Sequence, residues 1–335
     1  MINGARSMAI GIDVGGTQAR FARVENGRVA GDVWLGMTQT CRSPREFLFL
    51  VTQGLRPFNH VATANPRQVA LPDHPIGLAL PGLVDQQRGC LTRSVNLPFL
   101  ENFPIRAELA KLTDCAVHLM TDAAAATWGE YQALPSRPPT FAHLRLGTGI
   151  ALGIVRDGAL VDLDTGRARH LDVLVVERGA DALECRCGLC GCLETIASGR
   201  AVTEQWSACG GADGLDELRT AFGNKPIPEL ARLPDLITAG GVSELRAAFL
   251  RGDSLAMGIV ERARHGMGQA LRNIARQFGV THGSLGGGVV QRFPELAELV
   301  FTDARAQGTM VVEGARLRDD AGVIGAARLA LAQDK

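Results

Sequence analysis

The chain has 335 residues, with 35 Lys and Arg against 35 Asp and Glu, so its formal net charge is zero. With no long run of one sign either, the composition argues against nucleic acid or a membrane surface as partner and leaves a small molecule. The length suits two domains of ordinary size, each with its own core.

The N-terminal stretch MINGARSMAIGIDV lacks a long apolar core ahead of a cleavage site. No later segment runs to about 18 apolar residues without a charge or a turn former, so a soluble, cytoplasmic protein is expected. Ala9 to Val24, AIGIDVGGTQARFARV, is an apolar run, a Gly-Thr turn and a second apolar run, closed by Glu25-Asn26-Gly27. Gly15 and Gly16 let the backbone turn tightly and aim N–H groups at an anion, Thr17 adds a hydroxyl donor, and Asp13 places an acid beside them. Asn-Gly is a dipeptide that two-residue hairpins prefer, so the stretch reads as strand, phosphate-sized turn, strand, hairpin.

Val29 to Leu35 then supplies a third antiparallel strand. A helix opens at Ser43-Pro44-Arg45-Glu46, where Ser43 caps, Pro44 fits the first helical position and Glu46 completes a capping box. Phe47, Leu48, Val51 and Leu55 form its buried face. Ile76 to Leu80 is a buried strand ending at the Pro81-Gly82 turn, Leu83 to Thr92 is a small hairpin, and Ser94 to Pro98 is irregular, leaving Asn96 on a loop. Ala116 to Met120 is the next strand, and Thr121-Asp122 precedes an alanine-rich helix reaching about Gly129-Glu130. A carboxylate there is the usual N-cap, so a structural role and a chemical one are both open to Asp122.

Leu144 to Val155, LRLGTGIALGIV, repeats the opening motif with Gly147, Thr148 and Gly149 in the turn, and it closes at Arg156-Asp157-Gly158. Two such hairpins facing each other suit a nucleoside triphosphate held from both sides. Of the eight cysteines, Cys41, Cys90, Cys115 and Cys209 are scattered, whereas Cys185, Cys187, Cys190 and Cys192 are packed together, a pattern that points to metal in a cytosolic chain. Ser198 to Gly252 alternates glycines, prolines and short helical stretches. Leu255 to Phe278 is a long helix with Ile259, Ala263, Met267, Leu271 and Ile274 at helical spacing. Ser284 to Val289 forms a third glycine turn, and Ala321 to Ala327 starts a C-terminal helix of small residues. Repeated hairpins that feed helix-covered strands point to an α/β class with two similar lobes and a cleft between them.

Asp13-Val14-Gly15-Gly16-Thr17, Leu146-Gly147-Thr148-Gly149-Ile150, the segment from Cys185 to Glu194, and Leu285-Gly286-Gly287-Gly288-Val289 together resemble the ROK family of repressors, uncharacterised reading frames and sugar kinases. That family belongs to the actin-like, hexokinase-like ATPases, and the resemblance runs from about residue 8 to residue 333. It implies two actin-like (ribonuclease H-like) lobes. The first covers residues 8–121, with the helix at about 321–333 packing back on it, and the second covers 122–320 and carries the cysteines.

The resemblance also implies ATP-dependent phosphorylation of a hexose or amino-hexose, usually on the 6-hydroxyl, with Mg²⁺. Asp13 then orients the metal through water, the turns at Gly15 to Thr17 and Gly147 to Gly149 hold the phosphates, and Gly286, Gly287 and Gly288 flank the adenosine. Asp122 matches the general base and Asn96 a sugar-binding position. Chemistry gives that base independent sense, because a sugar hydroxyl is a poor nucleophile until a carboxylate accepts its proton.

Kinases of the family usually carry Glu-x-Gly-His upstream of the cysteines, with the Glu on the sugar and the His serving both sugar and zinc. A short spacer puts Asp172, Leu174 and Val175 at the Glu, Gly and His positions, and a longer one puts Arg167, Arg169 and His170 there. Cys185, Cys187 and Cys192 occupy the family's three cysteine positions. The extra Cys190 is the expected replacement for the imidazole in a closed tetrahedral Zn²⁺ site, with His170 as the competing fourth ligand. Asp172 and Glu194 are the further candidates for sugar contact, Glu194 having a helix-start carboxylate as its other role. Thr121, Ala124 and Ala151 replace residues the family more often has as Asn, Asn and Gly.

A sugar kinase is therefore the leading expectation, and since relatives of this kind are commonly dimers or tetramers, a homo-oligomer, a dimer first, is expected. A sugar-sensing transcription regulator would need a DNA-binding module ahead of the first strand, where only about seven residues stand. A weakly active or non-catalytic sugar-binding relative is the third expectation, motivated by the altered Glu-x-Gly-His segment.

Overall fold

The computed structural model describes residues 8–58, 74–163, 172–180, 182–208 and 233–334. They fall into two compact units, one made of residues 1–137 with 317–335 and the other of residues 138–316.

In the first unit β1 (Met8–Val14) and β2 (Ala19–Glu25) pair antiparallel from Met8↔Glu25 to Val14↔Ala19. The hairpin that follows turns on Asn26 at φ 50° and Gly27 at φ 74°, the left-handed pair that matches the twist of two antiparallel strands. The expected single third strand is split into β3 (Arg28–Val29) and β4 (Trp34–Gly36), each paired with β2. Gly31, at φ 81° between them, breaks the extended run. Helix α1 (Pro44–Leu55) is capped as its sequence requires: Ser43 Oγ accepts the Glu46 N–H at 3.3 Å, and Phe47, Val51 and Leu55 are buried. Then come β5 (Ile76–Leu80), the hairpin of β6 (Leu83–Asp85) and β7 (Cys90–Arg93), α2 (Ile105–Thr113), β8 (Val117–Thr121) and α3 (Asp122–Ala133). The sheet runs β3-β2-β1-β5-β8, with β1, β5 and β8 parallel. Ile10, Ile12, Phe21, Phe47, Leu78 and Leu80 form the centre of its core.

The second unit repeats the plan. β9 (Thr140–Leu146), β10 (Ile150–Arg156) and β11 (Ala159–Leu160) form an antiparallel meander whose hairpin turns on Asp157 at φ 51° and Gly158 at φ 77°. Helices α4 (Glu194–Ala197), α5 (Gly199–Ala208), α6 (Leu233–Leu250) and α7 (Ser254–Phe278) follow. After them come β12 (His282–Gly286), α8 (Gly288–Arg292), α9 (Pro294–Gln307) and β13 (Val311–Gly314). The sheet order β11-β10-β9-β12-β13 reproduces that of the first unit, again with the strands beyond the hairpin running parallel. Asp253 caps α7 by accepting the N–H groups of Leu255 and Ala256, and Ile259, Ala263, Met267, Leu271 and Ile274 form its buried stripe. Bidentate pairs fasten the helices: Arg264 to Asp303 at 2.7 and 2.6 Å, and Arg246 to Glu295 at 2.7 and 2.6 Å.

The last helix, α10 (Ala321–Gln333), belongs to the first unit. Gly11 and Gly77 lie side by side on β1 and β5, and a Cβ on either would run into the carbonyl of Val323 or of Ala326 on α10. Gly129 on α3 and Gly325 on α10 allow the same close approach between those two helices. This packing of small residues keeps α3 in the first unit, so the expected boundary after residue 121 gives way to one at residues 137 and 138. No described helix is long and apolar enough to cross a membrane.

Candidate functional site

The parallel register of the first unit sets Asp13, Ala79 and Met120 abreast. Strands β1, β5 and β8 therefore finish at one edge, where Asp13, the Pro81-Gly82 turn and Asp122 all stand. Neighbouring strands lie about 4.8 Å apart, so Asp13 and Met120, two strands apart, have backbones roughly 10 Å from each other. The carboxyl edge of a parallel sheet is where α/β folds bind their ligands.

The glycine turn at this edge is closed by the Gly15 N–H donating to the Gln18 carbonyl at 2.8 Å. It is braced from outside by Thr38, whose buried hydroxyl donates to the Gly15 carbonyl at 2.7 Å, and by the Gln39 N–H on the Thr17 carbonyl at 3.2 Å. Asn96 packs over Gly16, close enough that a Cβ on Gly16 would sit 3.0 Å from Asn96 Cγ. Ser94 holds the Asn96 loop in place. Its buried hydroxyl donates to the Pro81 carbonyl at 2.5 Å and accepts the Leu97 N–H at 3.1 Å, which ties the loop to the end of β5. Neither Thr38 nor Ser94 carries a sequence signal of its own, because each acts on a backbone atom distant in the chain.

Asp13 is only 8% exposed, and its carboxylate lies against Gly322 in the first turn of α10, where the helix N-terminus favours negative charge. Asp122 is half-buried at the first position of α3. The capping role open to it falls instead to Thr121, whose Oγ accepts the Ala124 N–H at 3.1 Å, while Asp122 Oδ1 accepts the neighbouring Ala123 N–H at 2.9 Å. A β-strand ending in Thr and followed by Asp thus places the hydroxyl on the helix and the carboxylate on the sheet edge.

In the second unit the turn after β9 is closed by the Gly147 N–H on the Gly149 carbonyl at 2.9 Å. Glu194, the first residue of α4, accepts the Ile150 N–H at 2.9 Å and stands 3.6 Å from the Arg200 guanidinium. Strand β12 runs parallel beside β9 and ends at Gly286, level with Arg145. Gly287, at φ 93°, begins α8 so close to Leu146 that a Cβ would strike its main chain. The Gly147–Gly149 and Gly286–Gly288 turns are therefore neighbours on one sheet edge. Beneath Gly286, His143 is buried with Nδ1 at 2.8 Å from Ser284 Oγ. Burial first, then the Arg145 charge, pushes its pKa down to about 3, so the imidazole is neutral at physiological pH. This buried histidine, set in the apolar run of β9, is absent from the residues the sequence singles out.

Three of the four clustered cysteines converge: the Sγ atoms of Cys185, Cys187 and Cys192 lie within 4.8 Å of one another, Cys187 and Cys192 at 3.5 Å. Cys190 is exposed and outside the group. It is bridged to Glu184, and Gly191 at φ 73° breaks the alternation that would otherwise turn residues 190 and 192 to the same side. The expectation of Cys190 as fourth thiolate is corrected accordingly. Burial, and then the neighbouring sulfurs, push the Cys192 thiol well above the usual cysteine range, and burial raises Cys185 as well. A soft divalent cation reverses that penalty, and a cluster of three sulfurs is a donor set suited to Zn²⁺.

The model of the ROK family matches residues 9–333. The chain belongs to the ROK family. N-acetylmannosamine kinase of Haemophilus influenzae (strain PittEE) is 27% identical over 329 residues, covering 95% of this chain and 93% of that one. Glucokinase of Thermotoga maritima is 30% identical over 265 residues, covering 76% and 78%. The crystal structure of a ROK hexokinase from Thermus thermophilus superposes with a TM-score of 0.68 at 26% identity, over 98% of each chain. The paired sheets described above are thus the actin-like fold of ROK sugar kinases.

Of the two spacers, only the residues that the short one aligns with Glu-x-Gly-His, Asp172, Leu174 and Val175, are among those described. Val175 is bridged antiparallel to Cys192, the Leu193 N–H donates to the Leu174 carbonyl at 2.8 Å, and Asn273 Nδ2 donates to the carbonyls of Val173 and Val175 at 3.1 and 3.3 Å. Val175, which the short spacer puts at the histidine position, thus stands opposite Cys192. Asp172 is exposed on a 3-10 turn at the start of this segment. Arg167, Arg169 and His170 lie outside the described residues.

Proposed function

We propose that the chain transfers the terminal phosphoryl group of ATP to the 6-hydroxyl of a hexose or amino-hexose. The observation that carries this reading is the carboxyl edge of the first unit, where Asp122, the residue after the Thr121 cap, shares the sheet edge with the buried Asp13 and the Asn96 loop. Asp122 accepts the proton of the attacking hydroxyl as its bond to phosphorus forms, a step typically contributing about 10²–10⁴ in rate. Asn96 bonds a sugar hydroxyl, and Asp172 is a further carboxylate on the sugar side.

The N–H groups of Gly16 and Thr17 in the first unit are suited to phosphate oxygens, as are those of Thr148 and Gly149 in the second, since the Gly15 and Gly147 N–H groups close their own turns. The Gly286 to Gly288 turn flanks the adenosine. Asp13 is suited to hold Mg²⁺ through water, and the bound cation supplies charge neutralisation on the phosphates. Cys185, Cys187 and Cys192 hold a structural Zn²⁺. Metal analysis of the purified protein tests this last assignment: Cys185→Ala loses the zinc and Cys190→Ala retains it, whereas loss from Cys190→Ala contradicts the three-cysteine site.

A coupled ADP-release assay over a panel of hexoses and N-acetylated hexosamines tests the activity, and saturable turnover on at least one sugar is expected. Mass spectrometry of the product, with nuclear magnetic resonance to place the phosphate, tests the 6-position. The second reading, a sugar-binding relative with little turnover, is favoured by Val175 at the position opposite Cys192. It predicts sugar affinity with no ADP release on any member of the panel. A homodimer, the assembly expected from the resemblance, is tested by light scattering in solution.

A further inference from the structure

The internal repeat aligns β1 with β9 turn to turn, so Arg145 stands where the first unit has Asp13, two residues ahead of the glycines. Along β9, Ala142, Leu144 and Leu146 enter the core of the second unit, which sends His143 and Arg145 to the opposite face of the sheet. That face is closed over His143, which is 3% exposed, and opens at the half-buried Arg145. Beside Arg145, β10 brings Ala151 and β12 brings Gly286, both too small to cover a guanidinium.

The charge of this face is that of Arg145. His143 is neutral, and its neighbours across the strands are Gly153 and Ser284. Among the described residues no acid is ion-paired to Arg145 and no hydrogen bond engages its side chain. Arg246, Arg262 and Arg264 of the same unit are, by contrast, each held by two bonds to one carboxylate. A half-buried cation with no acid beside it has given up part of its hydration without gaining a counter-charge, so the position favours an anion.

Its place in the sheet says which anion. The Gly147–Gly149 turn begins two residues further along the same strand, and the Gly286–Gly288 turn begins at the residue abreast of Arg145. Arg145 thus lies between the turn suited to phosphate oxygens and the turn that flanks the adenosine, where phosphates join the nucleoside. The planar guanidinium offers parallel N–H donors that match two phosphate oxygens.

We infer that Arg145 is a further nucleotide-binding residue, its guanidinium taking oxygens of the phosphate chain beside the nucleoside. The inference rests on the kinase reading and adds a residue to it. The test is calorimetry of ADP with Mg²⁺, and separately of adenosine, on the wild type and on Arg145→Met, which removes the charge and keeps an unbranched side chain. ADP is expected to bind the variant about tenfold more weakly, the order of a lost charge-assisted hydrogen bond, with adenosine affinity unchanged. The difference between the two proteins narrows as salt is added. Arg145→Lys, which keeps the charge without the fork, recovers part of the loss.

Unchanged ADP affinity in Arg145→Met overturns the inference, and so does an equal loss for ADP and adenosine, which would make the side chain a support of the pocket. Should Arg145→Met not fold, as judged by circular dichroism, phenylglyoxal labelling of the wild type, read by peptide mass spectrometry, carries the test. Shielding of Arg145 by ADP and not by adenosine supports the inference, and labelling undiminished by ADP overturns it. A wild type that binds neither ADP nor adenosine contradicts the kinase reading itself, whereas a wild type and Arg145→Met that bind ADP equally contradict the inference alone.

Discussion

Strands β1 and β9 are each seven residues long and each run into a glycine turn, an antiparallel partner and a left-handed two-residue hairpin. Their interiors nevertheless differ position by position. Four residues before the first glycine of the turn, the first unit has Gly11 facing Gly77, where the second has His143 facing Ser284. Two residues before it stand Asp13 and Arg145, opposite in sign. The glycine pair admits the backbone of α10 against the sheet, and the helix N-terminus then meets Asp13. The His-Ser pair fills the same place with a hydrogen bond. One scaffold occurs twice, and what fills the sheet behind each turn differs, a helix main chain in the first unit and a His-Ser pair in the second.

The comparison breaks most readily at the glycine pair. Gly77→Ala puts a methyl group into the Ala326 carbonyl, a backbone atom that cannot swing aside. A loss of about 2–3 kcal/mol is expected, read as a lower midpoint in urea denaturation. Ser284→Ala at the corresponding place in the second unit is expected to cost less, about 1 kcal/mol, because it removes a hydrogen bond without adding atoms. Equal losses would show that the two positions are not used differently.

The imidazole sharpens the contrast through pH. Folding lowers the His143 pKa from 6.5 to about 3, so below pH 6.5 the unfolded chain takes up a proton that the folded chain refuses. Stability from this group is complete above 6.5 and falls as the solution is acidified toward pH 3, by about 1.4 kcal/mol per pH unit. The glycine pair has nothing to titrate. Replacing His143 with Gln should flatten that part of the pH profile, and an unaltered slope would place the titrating group elsewhere. The smallest effect is expected at the brace of the first turn, where Thr38→Val removes one hydroxyl from the Gly15 carbonyl for about 1 kcal/mol. That brace is uncharged, so its contribution should not change between low and high salt.

What the sequence makes legible is local. Asn26-Gly27 and Asp157-Gly158 prescribe their turns because the side chains tolerate positive φ, and Ser43-Pro44 starts α1 because cap and first turn lie within four residues of chain. What it hides depends on distant partners. Asp122 and Thr121 compete for one cap, and only the placed helix shows that the hydroxyl wins. Cys190 has the spacing of a ligand, but one left-handed glycine turns it away from the other three sulfurs. Glu194 starts its helix as expected, and only the fold shows Ile150, far back in the chain, donating to its carboxylate.

The central claim is that Asp122 serves as the base of a phosphoryl transfer to sugar. It is tested most directly by measuring Asp122→Asn twice, for sugar affinity by calorimetry and for ADP release at saturating sugar and ATP. The account predicts turnover reduced by about 10²–10⁴ with binding of both ligands close to that of the wild type. Undiminished turnover in Asp122→Asn would contradict it.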